Sequence, residues 1–299
     1  GINFTNTGTI DAQTGSINFT SGTLAFNAGS VFTGAGAVNV SGSATFNGAF
    51  TSSNLNLVSG NITGNGAVLN GSADWLGSSL GGGWTVANGA ELNAISGSNK
   101  VFSGANVTNE GTVNWNDGTL FLGGSALITN NGQWNAANDS SLTVTTGGGT
   151  FVNNDAFTKT GGTGATSIST NFTNNGTIDA QTGSINFTSG TIAFNAGSVF
   201  TGAGAVNVSG PATFNGAFTS SNLNLSGTAT GNGAVLNGSV DWLGGTFGGD
   251  WTVANGSELN VISGANKVFG GANVTNEGTV NWNDGTLFLG GNTLITNNG

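Results

Sequence analysis

Short apolar–polar alternations recur along the whole chain, as in Ile17-Asn18-Phe19, Val38-Asn39-Val40, Leu55-Asn56-Leu57 and Leu142-Thr143-Val144. A hydrophobic period of two is the pattern of a half-buried strand. No stretch carries an i, i+3, i+4 apolar stripe, and the abundant Gly, Asn, Ser and Thr are poor helix formers. The pattern therefore predicts an all-β chain of short strands joined by Gly/Asn turns.

The strands sit on two nested repeats. Residues 3–132 return at 171–299 with sixteen substitutions and one gap, at Val58. The chain thus reads as one complete long repeat, 3–170, and a second, truncated copy, 171–299, forming one continuous structure rather than separate domains. Inside each copy a finer marker recurs: Asn, then Gly close by, then a large apolar residue. The marker asparagines are Asn6, Asn27, Asn47, Asn65, Asn88, Asn109, Asn130, Asn153, Asn174, Asn195, Asn215, Asn232, Asn255, Asn276 and Asn297. Their mean spacing is about 21 residues, which makes eight small units per long repeat and fourteen intervals in all.

One such unit cannot bury a core alone. Stacked units can, because each strand pairs with its copy one turn along. The expected fold is a parallel β-solenoid (β-helix) of about 21 residues per turn and roughly 14 turns. Gly at the corner permits positive φ, and Asn tolerates the same region. Stacked corner Asn side chains are expected to form a hydrogen-bonded ladder along the axis. The apolar residue after the corner is expected to build one interior column: Ile10, Val31, Phe50, Val68, Leu92, Val113, Trp134, Phe157 and Ile178. At a strand spacing of roughly 4.8 Å, eight turns would rise about 38 Å.

Composition narrows the function. The chain has no His and no Cys, so it offers no imidazole base, thiolate nucleophile, disulfide or soft metal site. Three cations against thirteen acids, a net charge of -10, argue against a nucleic-acid partner. No apolar run reaches membrane-span length, so membrane insertion is not expected. No cofactor is expected.

Two runs carry a resemblance. Thr173-Asn174-Asn175-Gly176-Thr177-Ile178-Asp179 is followed by Gly183-Ser184-Ile185-Asn186-Phe187, and Asn276-Glu277-Gly278-Thr279-Val280-Asn281-Trp282 by Gly285-Thr286-Leu287-Phe288-Leu289. They resemble the repeats of bacterial extracellular β-helix proteins, such as filamentous-haemagglutinin-like adhesins and autotransporter passenger domains. The resemblance covers the whole chain and implies an extracellular or cell-surface location. It implies adhesion, matrix, sheath or export-stalk roles alike. The near-identity of the two copies departs from typical adhesin passengers and favours a structural polymer.

Candidate sites are few against that background. The acids, among them Asp11, Asp74, Glu91, Glu110, Asp117, Asp139 and Asp155, are scattered rather than paired. A glycan-cleaving enzyme of this architecture would need clustered acids, so no catalytic residue is assigned. Asn116-Asp117-Gly118 and Asn283-Asp284-Gly285 read as turns rather than calcium ligands. Trp75, Trp84, Trp242 and Trp251 are candidate glycan contacts, with burial in a wide part of the core as the competing reading. Leu80-Gly81-Gly82-Gly83-Trp84 could protrude as a loop. Neither end carries a polar cap, which suggests a window from a longer repetitive chain or a subunit that stacks end to end. The expected role is a non-enzymatic structural segment of a fibre, sheath or matrix whose partner is itself. The alternative is a surface adhesin that binds glycans or host surfaces.

Overall fold

The computed structural model describes residues 3–299. It is an all-β parallel β-solenoid of about 15 turns, with about 20 residues per turn. No helix occurs among the described residues. The chain divides into two compact units, Gly1–Val152 and Asn153–Gly299. That boundary lies inside the first sequence copy, not between the copies.

In the first unit a turn has three sides. Asn3–Asn6, Thr9–Asp11 and Ser16–Phe19 form the opening turn. Each pairs in parallel with a strand of the next turn: Thr23–Asn27, Val31–Thr33 and Ala37–Val40. The two following turns are single long strands, Ala44–Leu57 and Asn61–Trp75, that bend at bulges instead of loops. Burial follows the alternation: Ala44, Phe46, Phe50, Leu55 and Leu57 point inward.

Register stacks these inward residues into columns. One column runs Ile17, Val38, Leu55, Ala73, Leu92, Val113, Trp134. Its neighbour on the same strands runs Phe19, Val40, Leu57, Trp75, Ala94, Trp115, Ala136. Bulk alternates between them: Ala73 beside Trp75, Leu92 beside Ala94, Val113 beside Trp115, Trp134 beside Ala136. A narrow core reaches native density only by such interdigitation. An aromatic cluster fills the rest of this end, with Phe26–Phe46 centroids 4.9 Å apart, Phe46–Phe50 4.8 Å and Phe46–Trp84 5.4 Å.

The second unit is built the same way. Ile185, Val206, Leu223, Val240, Leu259 and Val280 form one column, and Phe187, Val208, Leu225, Trp242, Val261 and Trp282 its neighbour. Here Phe247 lies between Trp242 and Trp251, with centroid distances of 4.2 and 4.6 Å.

The expected interior column needs correction at two residues and in its continuity. Val31 and Val68 face outward and are only half-buried; Phe32, Ala67 and Leu69 are the inward residues. Asn27 pairs with Asn47 and Val31 with Thr51, so Val31 lies one position beyond the level of Phe50. The corner after Asn65 holds one residue more than that after Asn47, since Phe50 pairs with Leu69, and a one-residue shift flips the face. Ile10 stacks on Phe32 and Phe50 on Leu69, whereas Leu92, Val113 and Trp134 stack on another side of the turn. In the second unit Phe157 stacks on Ile178.

The cause is a slip of the marker within each unit. Asn47 pairs with Asn65, but the strand of Asn65 continues onto Gly82, while Asn109 pairs with Val86. Between Asn65 and Asn88 the marker has moved to the next corner. Asn232 and Asn276 repeat this, since Gly231 pairs with Gly249 and Asn276 with Val253. Counting markers therefore runs short of the number of turns.

Candidate functional site: axial ladders and buried lysines

The corner asparagines form ladder segments rather than one ladder. In the first unit Asn65 Nδ2 donates to Asn47 Oδ1 at 3.1 Å and Asn47 Nδ2 to Asn27 Oδ1 at 2.8 Å. Asn109 is fully buried; its Nδ2 donates to Asn130 Oδ1 at 2.7 Å and to Gln133 O at 2.9 Å, and its Oδ1 accepts from Gly111 N. In the second unit Asn153 donates to Asn174 at 2.7 Å, Asn232 to Asn215, Asn215 to Asn195, and Asn276 to Asn297. Three expected members stand outside. Asn6 faces Phe26 and donates to Gly8 O, and Asn88 and Asn255 lie one residue off in the middle of turns.

A second set of ladders is more regular and was not expected. It uses the asparagine at the centre of each apolar-Asn-apolar triplet. In the first unit Asn39 donates to Asn18 and Asn56 to Asn39, both at 2.7 Å; Asn93 donates to Asp74 at 3.1 Å, and Asn114 and Asn135 continue at 2.9 Å. In the second unit Asn207, Asn224, Asn260 and Asn281 donate in the same sense, with Asp241 at the place of Asp74. Every Nδ2 points to the preceding turn. The signal was present in the triplets themselves, whose central residue is outward and, Asp74 and Asp241 apart, is asparagine on these successive turns.

The four tryptophans considered as glycan contacts are buried. Trp75 and Trp242 are 0% exposed, Trp84 8% and Trp251 6%. Their indole N–H groups donate inward to the carbonyls of Ser78, Gly244, Gly81 and Gly248, at 2.8 to 2.9 Å. They are core residues, and for three of them the narrow solenoid shows why: Trp75 fills volume left by Ala73 and Ala94, and Trp84 and Trp251 fill volume left by Gly64 and Gly231. Gly64 is one such position, since a Cβ there would stand 2.6 Å from Trp84 Nε1. The Gly81–Gly83 stretch does not protrude; it lies within the strand Ser79–Val86, paired on both edges.

All three lysines are buried. Lys100 Nζ donates to the carbonyls of Ser96 and Ser98 at 2.9 Å and of Asp117 at 3.2 Å. Lys267 Nζ donates to Ser263 O at 2.6 Å and Ala265 O at 2.9 Å. Ser96 and Ser263 adopt φ of 75° and 74°, a conformation rare outside glycine, which turns their carbonyls onto the ammonium. Lys159 Nζ donates to Gly161 O and Thr166 Oγ1. An ammonium offers three donors, so each lysine gathers the carbonyls of a corner that strand pairing leaves unused. Burial lowers the pKa of Lys100 from 10.5 to about 8, with the charge of Asp117 opposing the fall.

The acids do not converge. Asp117 and Asp284 each use Oδ1 to accept from the following glycine N–H at 2.7 Å, as turn residues do. Among the described residues no three acids come together as a metal site. The enclosed cavities beside Trp84 and Trp251 are apolar and about 10 Å³ each. Among the described residues no helix is long and apolar enough to cross a membrane. Compared with known protein families, with curated proteins and with solved structures, the chain matches none.

Proposed function

We propose that the chain is an extracellular structural protein, a stiff β-solenoid segment of a fibre, sheath or matrix filament, without enzymatic activity. The observation that carries this reading is where the polar side chains go. Asparagine amides join one turn to the next, and lysine ammoniums close corners. Such groups serve cohesion along the axis. The near-identity of two long copies suits a material more than a specific binding surface.

The partner is the same kind of turn. Successive turns already hold one another by parallel strand pairing and side-chain ladders, the chemistry that a second copy of this chain would use. The adhesin alternative loses the aromatic contacts first considered for it, because those rings are buried.

Immunolabelled electron microscopy of native source material tests the reading. Label along filaments or sheets is expected. Label confined to discrete soluble particles would overturn it.

A further inference from the structure

Asparagine followed by glycine is the pair most open to intramolecular attack, because glycine places no Cβ beside its own nitrogen. The chain has eleven such pairs. In most, the amide is held. Asn47, Asn65, Asn215 and Asn232 are ladder members, and Asn70 and Asn237 donate to the carbonyls of Phe50 and Phe218. Asn88 and Asn255, which occupy the same place in the two copies, are exposed and make no side-chain hydrogen bond. Asn298, beside the final residue, is set aside.

Their backbone leaves the attacking nitrogen unengaged. Asn88-Gly89 are the middle residues of a turn closed by Ala90 N donating to Ala87 O at 2.9 Å; Ser257 N and Ala254 O close the second at 2.9 Å. Gly89 and Gly256 both adopt φ of 76°, the type II arrangement. Neither glycine N–H is used in a hydrogen bond, and nothing lies within 4 Å of where a Cβ would stand on either. Closure requires the Asn ψ to turn away from its type II value, a motion opposed here by the one hydrogen bond that closes each turn and not by any bond of the side chain.

We propose that Asn88 and Asn255 are sites of spontaneous deamidation, and that ladder bonding protects the laddered Asn-Gly corners. The glycine nitrogen loses its proton to solvent base and attacks Asn Cγ. A Cγ–N bond forms, the Cγ–Nδ2 bond breaks, and Nδ2 leaves as ammonia. Water then opens the succinimide at either carbonyl, giving Asp or isoaspartate. Each event adds a negative charge to the surface. The isoaspartate product also lengthens the backbone at a corner that closes a turn.

The test is peptide mapping by mass spectrometry after incubating the full chain at mildly alkaline pH, folded and in denaturant. In the folded chain Asn88 and Asn255 are expected to gain the amide-to-acid mass several-fold faster than Asn47, Asn65, Asn215 and Asn232. In denaturant the rates should converge. Equal rates in the folded chain would overturn the proposal. So would an unchanged ranking in denaturant, which would place the cause in local sequence. Asn88→Gln should abolish the signal at that site and leave Asn255 reacting.

Discussion

Asn109 engages its amide in three directions while fully buried. Removing it leaves Gly111 N–H and Gln133 O without that partner inside the protein, and an unsatisfied buried group costs about 1–3 kcal/mol. Asn109→Ala should therefore destabilise by that amount in denaturant titration. Asn114→Ala, in the half-buried outward ladder, should cost less, about 1 kcal/mol, because water replaces the lost partner. Equal costs would mean that the corner amides are not specially held. Lys100 carries the pH dependence. Its pKa is about 8 folded and 10.5 unfolded, so between these values the unfolded chain binds more protons and stability rises with pH. The penalty for the buried ammonium is present in full below about 8. Thermal melts from about pH 7 to about pH 10 should show wild type gaining on Lys100→Met as pH rises. Parallel curves would contradict the assignment.

At the scale of elements, the two copies act as a natural repacking experiment. Ile62 pairs with Leu80 in the first unit; the same places in the second hold Ala229 and Phe247. The smaller residue makes room for the larger, which conserves volume. Ala229→Ile alone should overpack the second unit by about 1–3 kcal/mol, and adding Phe247→Leu should recover most of that loss. Additive effects of the two changes would show that these side chains do not share one volume. Strand type, parallel stacking and the solenoid were legible in the sequence, because period-two alternation and the 21-residue spacing survive any local irregularity. The inward face was not legible at Val31 and Val68, where a shift of one position between the marker and the apolar residue reverses the side. The marker slip after Asn65 was hidden for the same reason. The outward ladder was legible in principle, since Asn18, Asn39 and Asn56 sit at matching positions, but side-chain bonding needs a register that only strand pairing supplies.

For the molecule as a whole, the burial of every lysine has an electrostatic consequence. The thirteen acids are exposed or half-exposed, so the outward charge is negative throughout. Like-charged segments repel at low ionic strength and are screened over about 10 Å at 0.1 M salt. Lateral association should therefore increase with added salt in light scattering, and association that weakens with salt would argue against side-by-side packing of these surfaces. Along the axis, cohesion comes from strand pairing and ladders, which salt screens little. The most direct measurement of the central claim is X-ray diffraction from oriented native material. A filament of stacked solenoid turns predicts a reflection near 4.8 Å along the fibre axis. A 4.8 Å spacing perpendicular to that axis, or no ordered fibre at all, would contradict it.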